Sequence, residues 1–425
     1  MNTSIRPLRV VFILPAFYRN GAVNLVVNLA QQLTRYAISP QIFALRECQQ
    51  QGPLPQAPVS TQIALKEYQS TLFGLPKLLC SLIPAVLKAD VVVHTWENGI
   101  LIPGIIAFIL RKPTLAIVQN NFQKISENSA NRQREQSIRR WVYGKCKAIV
   151  CVGHGLIATV EPGIDRKKVI AIQNGIDLKK VRHLSKAPSS RKFTAARNNN
   201  VPFIIGVGRL SPQKGFDTLI KAHAAVIRQG YNHQLVIIGE GTQKDELARL
   251  AKHLGVADSV IFLGYLNNPY PAIAHAALFC LSSRYEGFVL VGAEAAALGV
   301  PTIATDCVAG PKELLENGRY GDLVQVDDSE ALAIAIQRHL ENPQRLQAKA
   351  QDSAQNAERL SMDLCAARYS ELLYRCIGQT SSSLSTQAKQ ALRTKQATSA
   401  EQTRTEQTRT GQTRVGQRKA EQIRK

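Results

Sequence analysis

Short apolar runs and amphipathic segments alternate along the chain. An apolar run at 9–14 is followed by a loop at 15–21, and residues 22–33 then place apolar side chains at helical spacing. The same succession recurs from residue 201 to about residue 327. Because strands that alternate with helices form parallel sheets, the pattern predicts an α/β fold.

Further strands are predicted at 42–45, 90–94, 115–118, 148–152, 203–207, 235–238, 260–263, 278–281 and 300–305. Ligands of parallel sheets bind at the carboxyl ends of the strands. His94 ends one of these strands, and Gln119 and Asn120 follow another. We therefore expect Gln119 or Asn120 to contact a substrate, and His94 is a separate candidate. A polar, basic surface loop is predicted at 185–200.

Residues 66–88 mix leucines with lysines and contain Pro76 and Pro84, which we expect to break or kink a helix. Such a basic amphipathic segment either lies on an anionic membrane surface or packs on the sheet as a crossover. No apolar run reaches the ~18 residues that a membrane-spanning helix needs. The longest, at 100–110, is too short.

A length of 425 residues is sufficient for two domains. The net charge of +22 favours phosphates, anionic lipid surfaces or nucleic acid as partners, although solubility and a basic tail explain it equally well. The eight cysteines form no C-x-x-C pair, which favours reduced thiols in a cytosolic protein. The basic start and apolar run at 6–14 are interpreted as a first strand rather than a signal peptide.

The composition changes at about residue 379, where Thr, Ser, Gln, Lys, Arg and Ala begin to dominate. From residue 401 a five-residue repeat begins, and this period fits neither a helix nor a strand. A disordered basic tail is predicted at 379–425. It has no aromatic residues for base stacking, so no specific nucleic-acid partner is expected.

Two clusters of charged residues predict a binding site. Arg209 and Lys214 follow the strand at 203–207 among glycines, where two cations suit a diphosphate. Glu286 lies in a predicted turn, and Glu294 lies about two helical turns later, roughly 12 Å away. A buried carboxylate needs hydrogen-bond donors, which a polyhydroxyl ligand supplies. The two clusters together complement a nucleotide sugar.

These residues also form motifs: G-R-x4-K-G at 208–215, E-G-F at 286–288 with a second Glu eight residues after the first, G-V-P-T-I-A-T-D at 299–306, and G-P-K-E at 310–313. The set resembles the retaining family 4 (group 1) glycosyltransferases of the GT-B class. Residues 306–324 are similar to bacterial enzymes that build lipopolysaccharide, capsule or other surface glycans. The resemblance is strong over about 201–330, weaker over 8–180, and absent after about 380.

The resemblance implies two Rossmann-like domains with parallel sheets that face each other across a cleft. The acceptor-side domain is expected at 1–177 and the nucleotide-sugar-binding domain at 178–345. Helices at 346–378 are expected to cross back onto the first domain, and the tail at 379–425 lies outside the resemblance.

By the same resemblance, Arg209 and Lys214 hold the diphosphate, Glu286 binds the hydroxyls of the donor sugar, and Glu294 binds those of the ribose. Further donor-binding positions are Gly21, Gly208, Tyr265, Gly287, Phe288 and Val289. Gln119 stands where many members have a histidine near the reacting carbon, so it is a catalytic candidate without a transferable role. Asn20 replaces one glycine of a pair that the family often has.

The expected reaction transfers a sugar from a nucleotide sugar to a lipid-linked or glycan acceptor with retention of anomeric configuration. UDP is expected as the nucleotide from its frequency in the family. The chain has no D-x-D motif, so we expect neither a metal nor another cofactor, with Arg209, Lys214 and helix N-termini stabilising the leaving group. A cytoplasmic location is expected, with peripheral binding to the inner face of the membrane as a further option.

Three alternatives remain open. A nucleotide-sugar 2-epimerase of similar fold would need no acceptor. A catalytically silent binding protein would explain Gln119 and Asn20, although the intact cations and carboxylates oppose it. A nucleic-acid or membrane-binding module would depend on charge alone. Paired carboxylates also occur in glycoside hydrolases, but a phosphate site beside them argues against hydrolysis.

Overall fold

A computed structural model describes residues 6–17, 21–46, 59–65, 71–95, 100–121, 131–196 and 201–379. The chain divides into two compact units, residues 1–370 and 371–425. Both sheets belong to the first unit. The predictions for Asn20 and for the tail beyond residue 379 lie outside the described residues.

The first sheet has seven strands: β1 Leu8–Leu14, β2 Ile38–Arg46, β3 Ser60–Leu65, β4 Val91–His94, β5 Thr114–Val118, β6 Ala148–Cys151 and β7 Val169–Ala171. Their spatial order is β3-β2-β1-β4-β5-β6-β7, and all paired neighbours run parallel. Its helices are α1 Gly21–Leu33, α2 Thr71–Lys88, α3 Leu101–Ile109 and α4 Arg132–Lys145. The strand order reverses between β1 and β4, which places a crevice at their carboxyl ends.

Helix α2 packs on this sheet as a crossover segment. Its side chains Leu78, Leu82 and Val86 are buried in one cluster with Val11 and Phe43 of the strands. Of the expected break or kink at Pro76 and Pro84, the break is wrong, because α2 continues through both prolines; the kink stays a prediction. Each proline removes one backbone hydrogen bond, and burial of several leucine-sized side chains, each about 1.5–3 kcal/mol, offsets that loss.

The second sheet has six strands: β8 Phe203–Val207, β9 Gln234–Ile238, β10 Val260–Gly264, β11 Leu278–Leu281, β12 Thr302–Thr305 and β13 Asp322–Val324. They are parallel in the order β10-β9-β8-β11-β12-β13, so the order reverses between β8 and β11. The remaining helices are α5 Leu178–Leu184, α6 Arg191–Ala196, α7 Phe216–Arg228, α8 Lys244–His253, α9 Tyr270–Ala274, α10 Leu290–Ala297, α11 Pro311–Leu314, α12 Ser329–Glu341, α13 Pro343–Gln355 and α14 Met362–Cys376.

The predicted surface loop at 185–200 contains a helix that the polar composition did not indicate. Phe193 of α6 is buried against Phe203 of β8, with ring centroids 5.4 Å apart. One buried aromatic ring is enough to hold a short helix on the sheet, since it removes a large apolar surface from water.

Residues near 361 return to the first half of the chain. The backbone N–H of Ile176 donates to Leu360, that of Met362 donates to Ile176, and Arg35 pairs with Asp363 at 3.1 Å. The domain bounds at 177 and 345 stay a prediction. Across the described ranges, no helix combines the length and the apolar character needed to cross a membrane. The seven cysteines in these ranges are free thiols.

Candidate functional site

The carboxyl ends of β8 and β11 bring the predicted cation and carboxylate together. The Lys214 Nζ atom donates to Glu286 Oε1 at 2.5 Å, and the Ser283 hydroxyl donates to the same oxygen at 2.6 Å. Only 4% of Glu286 is exposed. The structure thus places a buried carboxylate and a lysine ammonium in one ion pair at the switch point of the sheet.

Close packing and hydrogen bonds from residues 282–284 hold the loop that carries Lys214. Gly215 has a φ of +59°, and a Cβ there would lie 2.1 Å from the carbonyl oxygen of Ser282, so only glycine fits. The Ser282 hydroxyl donates to the Lys214 carbonyl at 2.8 Å. Arg284 donates to the Pro212 carbonyl at 2.6 Å.

Arg284 also forms ion pairs with Asp217 at 2.8 Å and with Asp327 at 2.7 Å. The two carboxylates raise the pKa of the guanidinium. The guanidinium in turn lowers the pKa of Asp217, although burial of that carboxyl opposes the shift. Sequence reasoning did not identify this arginine as part of the site. The only signal was its position two residues before Glu286.

Arg209 lies in the same loop, and its side chain is exposed. It pairs with no carboxylate among the described residues. Gly208 allows the stem of Lys214 to lie close, since a Cβ there would be 3.4 Å from that stem. The loop therefore carries two cations: Lys214, which is paired with Glu286, and Arg209, which is exposed to an incoming anion.

Glu294 lies inside α10, separate from the Lys214–Glu286 pair. Its Oε1 atom accepts a hydrogen bond from the Tyr270 hydroxyl at 2.9 Å. Burial raises the pKa of Glu294 to about 7, although Tyr270 and Lys180 partly oppose this shift. Glu294 keeps some exposure to solvent and some acceptor capacity, so it is suited to receive hydroxyl donors.

The other predicted donor positions differ in what they can offer. The side chains of Phe288 and Val289 are buried, so only their backbone groups are available to a ligand. The Tyr265 side chain is 43% exposed, and its backbone N–H donates to Glu240 at 3.4 Å. An exposed ring at the end of β10 is able to stack on a planar ligand.

Residues of the first sheet approach this site from the other side. Gln119 donates to the Thr95 carbonyl at 3.1 Å. Gly287 lies so close to the Gln119 carbonyl that a Cβ would be 1.9 Å from its oxygen, and a Cβ on Gly21 would be 3.3 Å from Leu290. The structure therefore brings Gln119 and Gly21 to the Glu286 side of the cleft.

His94 is completely buried, in contrast to these residues. Burial lowers its pKa to about 4, so the imidazole is neutral near pH 7. Only 2% of His94 is exposed.

Glu313 follows a strand of the second sheet and forms hydrogen bonds with residues of the first half of the chain. Its carboxylate accepts the backbone N–H groups of His154 at 2.9 Å and Gly155 at 2.7 Å, and the Gln173 amide at 3.2 Å. These bonds lower the pKa of Glu313. The G-P-K-E motif was noted in the sequence, but nothing in it indicated a contact with residues 154 and 155.

Two family models match the chain. Glycosyltransferase Family 4 matches residues 19–180, and Glycosyl transferases group 1 matches residues 190–359. The first match covers β2 to β7 and the second covers β8 to β13. They confirm the group 1 part of the resemblance, whereas retention stays a prediction.

Among curated relatives, the N-acetylgalactosamine-N,N'-diacetylbacillosaminyl-diphospho-undecaprenol 4-alpha-N-acetylgalactosaminyltransferase of Campylobacter jejuni is 34% identical over 179 residues, 42% of this chain and 46% of that enzyme. Two further relatives are matched over 37% and 40% of their lengths, so this chain spans less than half of each of the three. The D-inositol 3-phosphate glycosyltransferase of Corynebacterium urealyticum is 26% identical over 83% of this chain and 90% of its own.

Among solved structures, HepE of Anabaena in complex with UDP-glucose superposes with a TM-score of 0.74. It is 20% identical, and the match covers 87% of this chain and 100% of that one. At this identity the likeness shows the fold alone. The prediction of two Rossmann-like domains of the GT-B type is confirmed.

Proposed function

The chain belongs to the group 1 glycosyltransferases, and on this premise we propose that it transfers a sugar from a nucleotide sugar to a hydroxyl group of a glycan or lipid-linked acceptor. The observation that supports this best is the ion pair of the partly exposed Lys214 with the buried Glu286, with the exposed Arg209 in the same loop. Cations for a diphosphate and a carboxylate for hydroxyls meet at one sheet edge.

In this proposal Arg209 and Lys214 hold the diphosphate and stabilise its charge as the glycosidic bond breaks. Glu286 accepts hydrogen bonds from the donor sugar, and Glu294 accepts them from the ribose. The two cations act in place of a metal ion, so transfer should proceed without one. Retention of configuration is proposed from the family. We also propose that Gln119, whose carbonyl lies beside Gly287, contacts the reacting end of the donor.

UDP is the proposed nucleotide, supported by the fold shared with HepE, which was solved with UDP-glucose. The Campylobacter relative is named for a diphospho-undecaprenol acceptor, and a Rhizobium meliloti relative for lipopolysaccharide core biosynthesis. We therefore propose a role in lipopolysaccharide, capsule or related glycan synthesis in the cytoplasm, with a hexose or N-acetylhexosamine as the transferred sugar.

Titration calorimetry with UDP, GDP and ADP, in the absence of added metal, tests the donor site. We expect one nucleotide to bind, and Arg209→Ala to weaken binding by about tenfold or more, because charge-assisted hydrogen bonds contribute about 1.5–3 kcal/mol each. Arg338→Ala is the matched control, since Arg338 is exposed on α12 of the same domain. If the folded protein binds none of the three nucleotides, the proposal fails.

A further inference from the structure

Six of the ten large apolar side chains that the described part of the chain exposes lie on three consecutive helices, α2, α3 and α4. We call them the apolar patch: Ile83, Leu87, Ile105, Phe108, Ile109 and Trp141. Ile109 is 68% exposed and Phe108 is 51% exposed. Side chains of this size that face water together mark an interaction surface.

The three helices lie side by side on one face of the first sheet. Leu82 of α2 and Ile106 of α3 are buried in the same cluster, and a Cβ added to Gly104 of α3 would lie 3.1 Å from the Val142 side chain of α4. Phe108 and Trp141 form an edge-to-face pair with centroids 5.9 Å apart. The patch is therefore continuous from α3 to α4.

Basic residues predominate in the segments that carry the apolar patch. In the described ranges 71–95, 100–121 and 131–147 there are ten lysines and arginines but two acidic residues, Asp90 and Glu135. Of the ten, Arg139 is buried and paired with Glu161, and the other nine are at least partly exposed. Asp90 is already paired with Arg6 and Arg9. Lys145 places its ammonium group 4.9 Å from the centre of the Phe108 ring, at the edge of the patch.

This charge pattern decides between the surfaces that could cover the patch. A second copy of the chain would bring the same excess of positive charge against it, and the tail at 380–425 is also basic. An anionic phospholipid surface is complementary in both respects, because it accepts apolar side chains and attracts lysine and arginine. Tryptophan beside lysine is typical of side chains at the level of the lipid headgroups.

We propose that the apolar patch and its basic rim bind the surface of an anionic phospholipid membrane. Helix α3 begins at the carboxyl end of β4 and ends where β5 begins, so Phe108 and Ile109 lie at the sheet edge opposite the cleft. Membrane binding therefore leaves the cleft open, and it goes beyond the proposed transfer reaction without depending on it.

The test uses the full chain with Trp96→Phe, which leaves Trp141 as the only tryptophan of the two in the sequence. Vesicles of phosphatidylcholine with phosphatidylglycerol are compared with vesicles of phosphatidylcholine alone. Binding is measured by co-sedimentation, and Trp141 is followed by its emission wavelength and by quenching with brominated lipids.

We expect binding to the anionic vesicles, a blue shift of Trp141, quenching by the brominated lipids, and loss of binding at high salt as screening increases. Phe108→Ser combined with Ile109→Ser should lower the partition coefficient by about tenfold or more, since both side chains would leave water on binding. Ile334→Ser, at an exposed isoleucine of α12, is the matched control and should bind as the parent does.

Equal binding by the patch variant and the control, with both folded by circular dichroism, would overturn the proposal. So would a Trp141 emission that does not change on vesicles. Added UDP should not alter the partition coefficient. Failure of UDP to bind in calorimetry would count against the donor site alone, so the two proposals fail separately.

Discussion

The ion pair between Lys214 and Glu286 makes a prediction about nucleotide affinity that distinguishes its two members. In the structure the lysine ammonium is held by the carboxylate at 2.5 Å. A diphosphate must compete for this ammonium and must also approach the charge of Glu286. We predict that Glu286→Gln binds UDP more tightly than the parent protein, while it transfers sugar more slowly.

The magnitude follows from the geometry. Two unit charges about 4 Å apart attract by about 4 kcal/mol at an effective dielectric constant of about 20. Lys214 is 21% exposed, which screens part of this attraction. Glutamine keeps one hydrogen bond to the ammonium. If about a third of the Coulomb attraction is released to the ligand, the gain is about 1.4 kcal/mol, or about tenfold in affinity.

Turnover should change in the opposite direction. Glu286 is the proposed acceptor for the hydroxyl groups of the donor sugar, and a hydrogen bond to a charged group contributes about 1.5–3 kcal/mol. We expect kcat/KM with the sugar nucleotide to fall by roughly tenfold to 100-fold in Glu286→Gln. A group that served only to hold Lys214 in place would not separate the affinity for UDP from the rate in this way.

The assay is titration calorimetry with UDP alone, followed by turnover with the sugar nucleotide once an acceptor is known. Glu358→Gln is the control, because it makes the same change in net charge at an exposed residue. Equal or weaker UDP binding by folded Glu286→Gln would refute the competition for Lys214.

Three further predictions follow from the same side chains. The pKa of Glu294 is about 7 in the folded chain against 4.5 unfolded, so its contribution to stability is lost as the pH rises from 4.5 through 7; Glu294→Gln should raise the free energy of unfolding near pH 8 by up to about 3 kcal/mol in urea titrations, and should weaken UDP binding. Burial lowers the pKa of His223 to about 3 from 6.5, and burial also lowers that of His233, its partner at 2.8 Å. Their stability contribution is full above pH 6.5 and falls in acid by up to about 1.4 kcal/mol per pH unit for each histidine, so His223→Gln should flatten the acid side of a plot of stability against pH. Arg284→Ala should weaken UDP binding by about tenfold in calorimetry, because it removes the side-chain bond to the Lys214 loop, whereas a purely structural role would lower the melting temperature without changing affinity.

The fold was predictable because its signals are local. The strand at 203–207 and the helix after Val289 each follow from a run of neighbouring residues, and the structure places β8 and α10 at these positions. The prediction that Pro76 and Pro84 break α2 failed because the packing of this helix is not local. Proline weakens a helix locally, but the leucines of α2 are held by strands that are distant in sequence, and the sequence does not show how much apolar surface they bury.

The candidate site was predictable only as a set of residue types. Spacing placed Lys214 and Glu286 at strand ends, but their contact joins residues 72 positions apart. The bond of the Arg284 side chain to the Pro212 carbonyl and the bond of Glu313 to the Gly155 N–H depend in the same way on the folded arrangement of the sheets. The spacing of apolar and polar residues does not indicate such contacts, because each contact depends on the path of the whole intervening chain.

Gly287 lies where the two halves of the chain approach each other closely, beside Glu286. Its neighbour Glu286 pairs with Lys214 of the second half, and its own backbone lies against the carbonyl of Gln119 of the first half. Any side chain at 287 would collide with that carbonyl, since even a Cβ would lie 1.9 Å from it. A glycine directly after Glu286 is therefore required by the close approach of the two halves. The E-G-F motif thereby connects the proposed donor site directly to the residue that replaces the family's usual histidine.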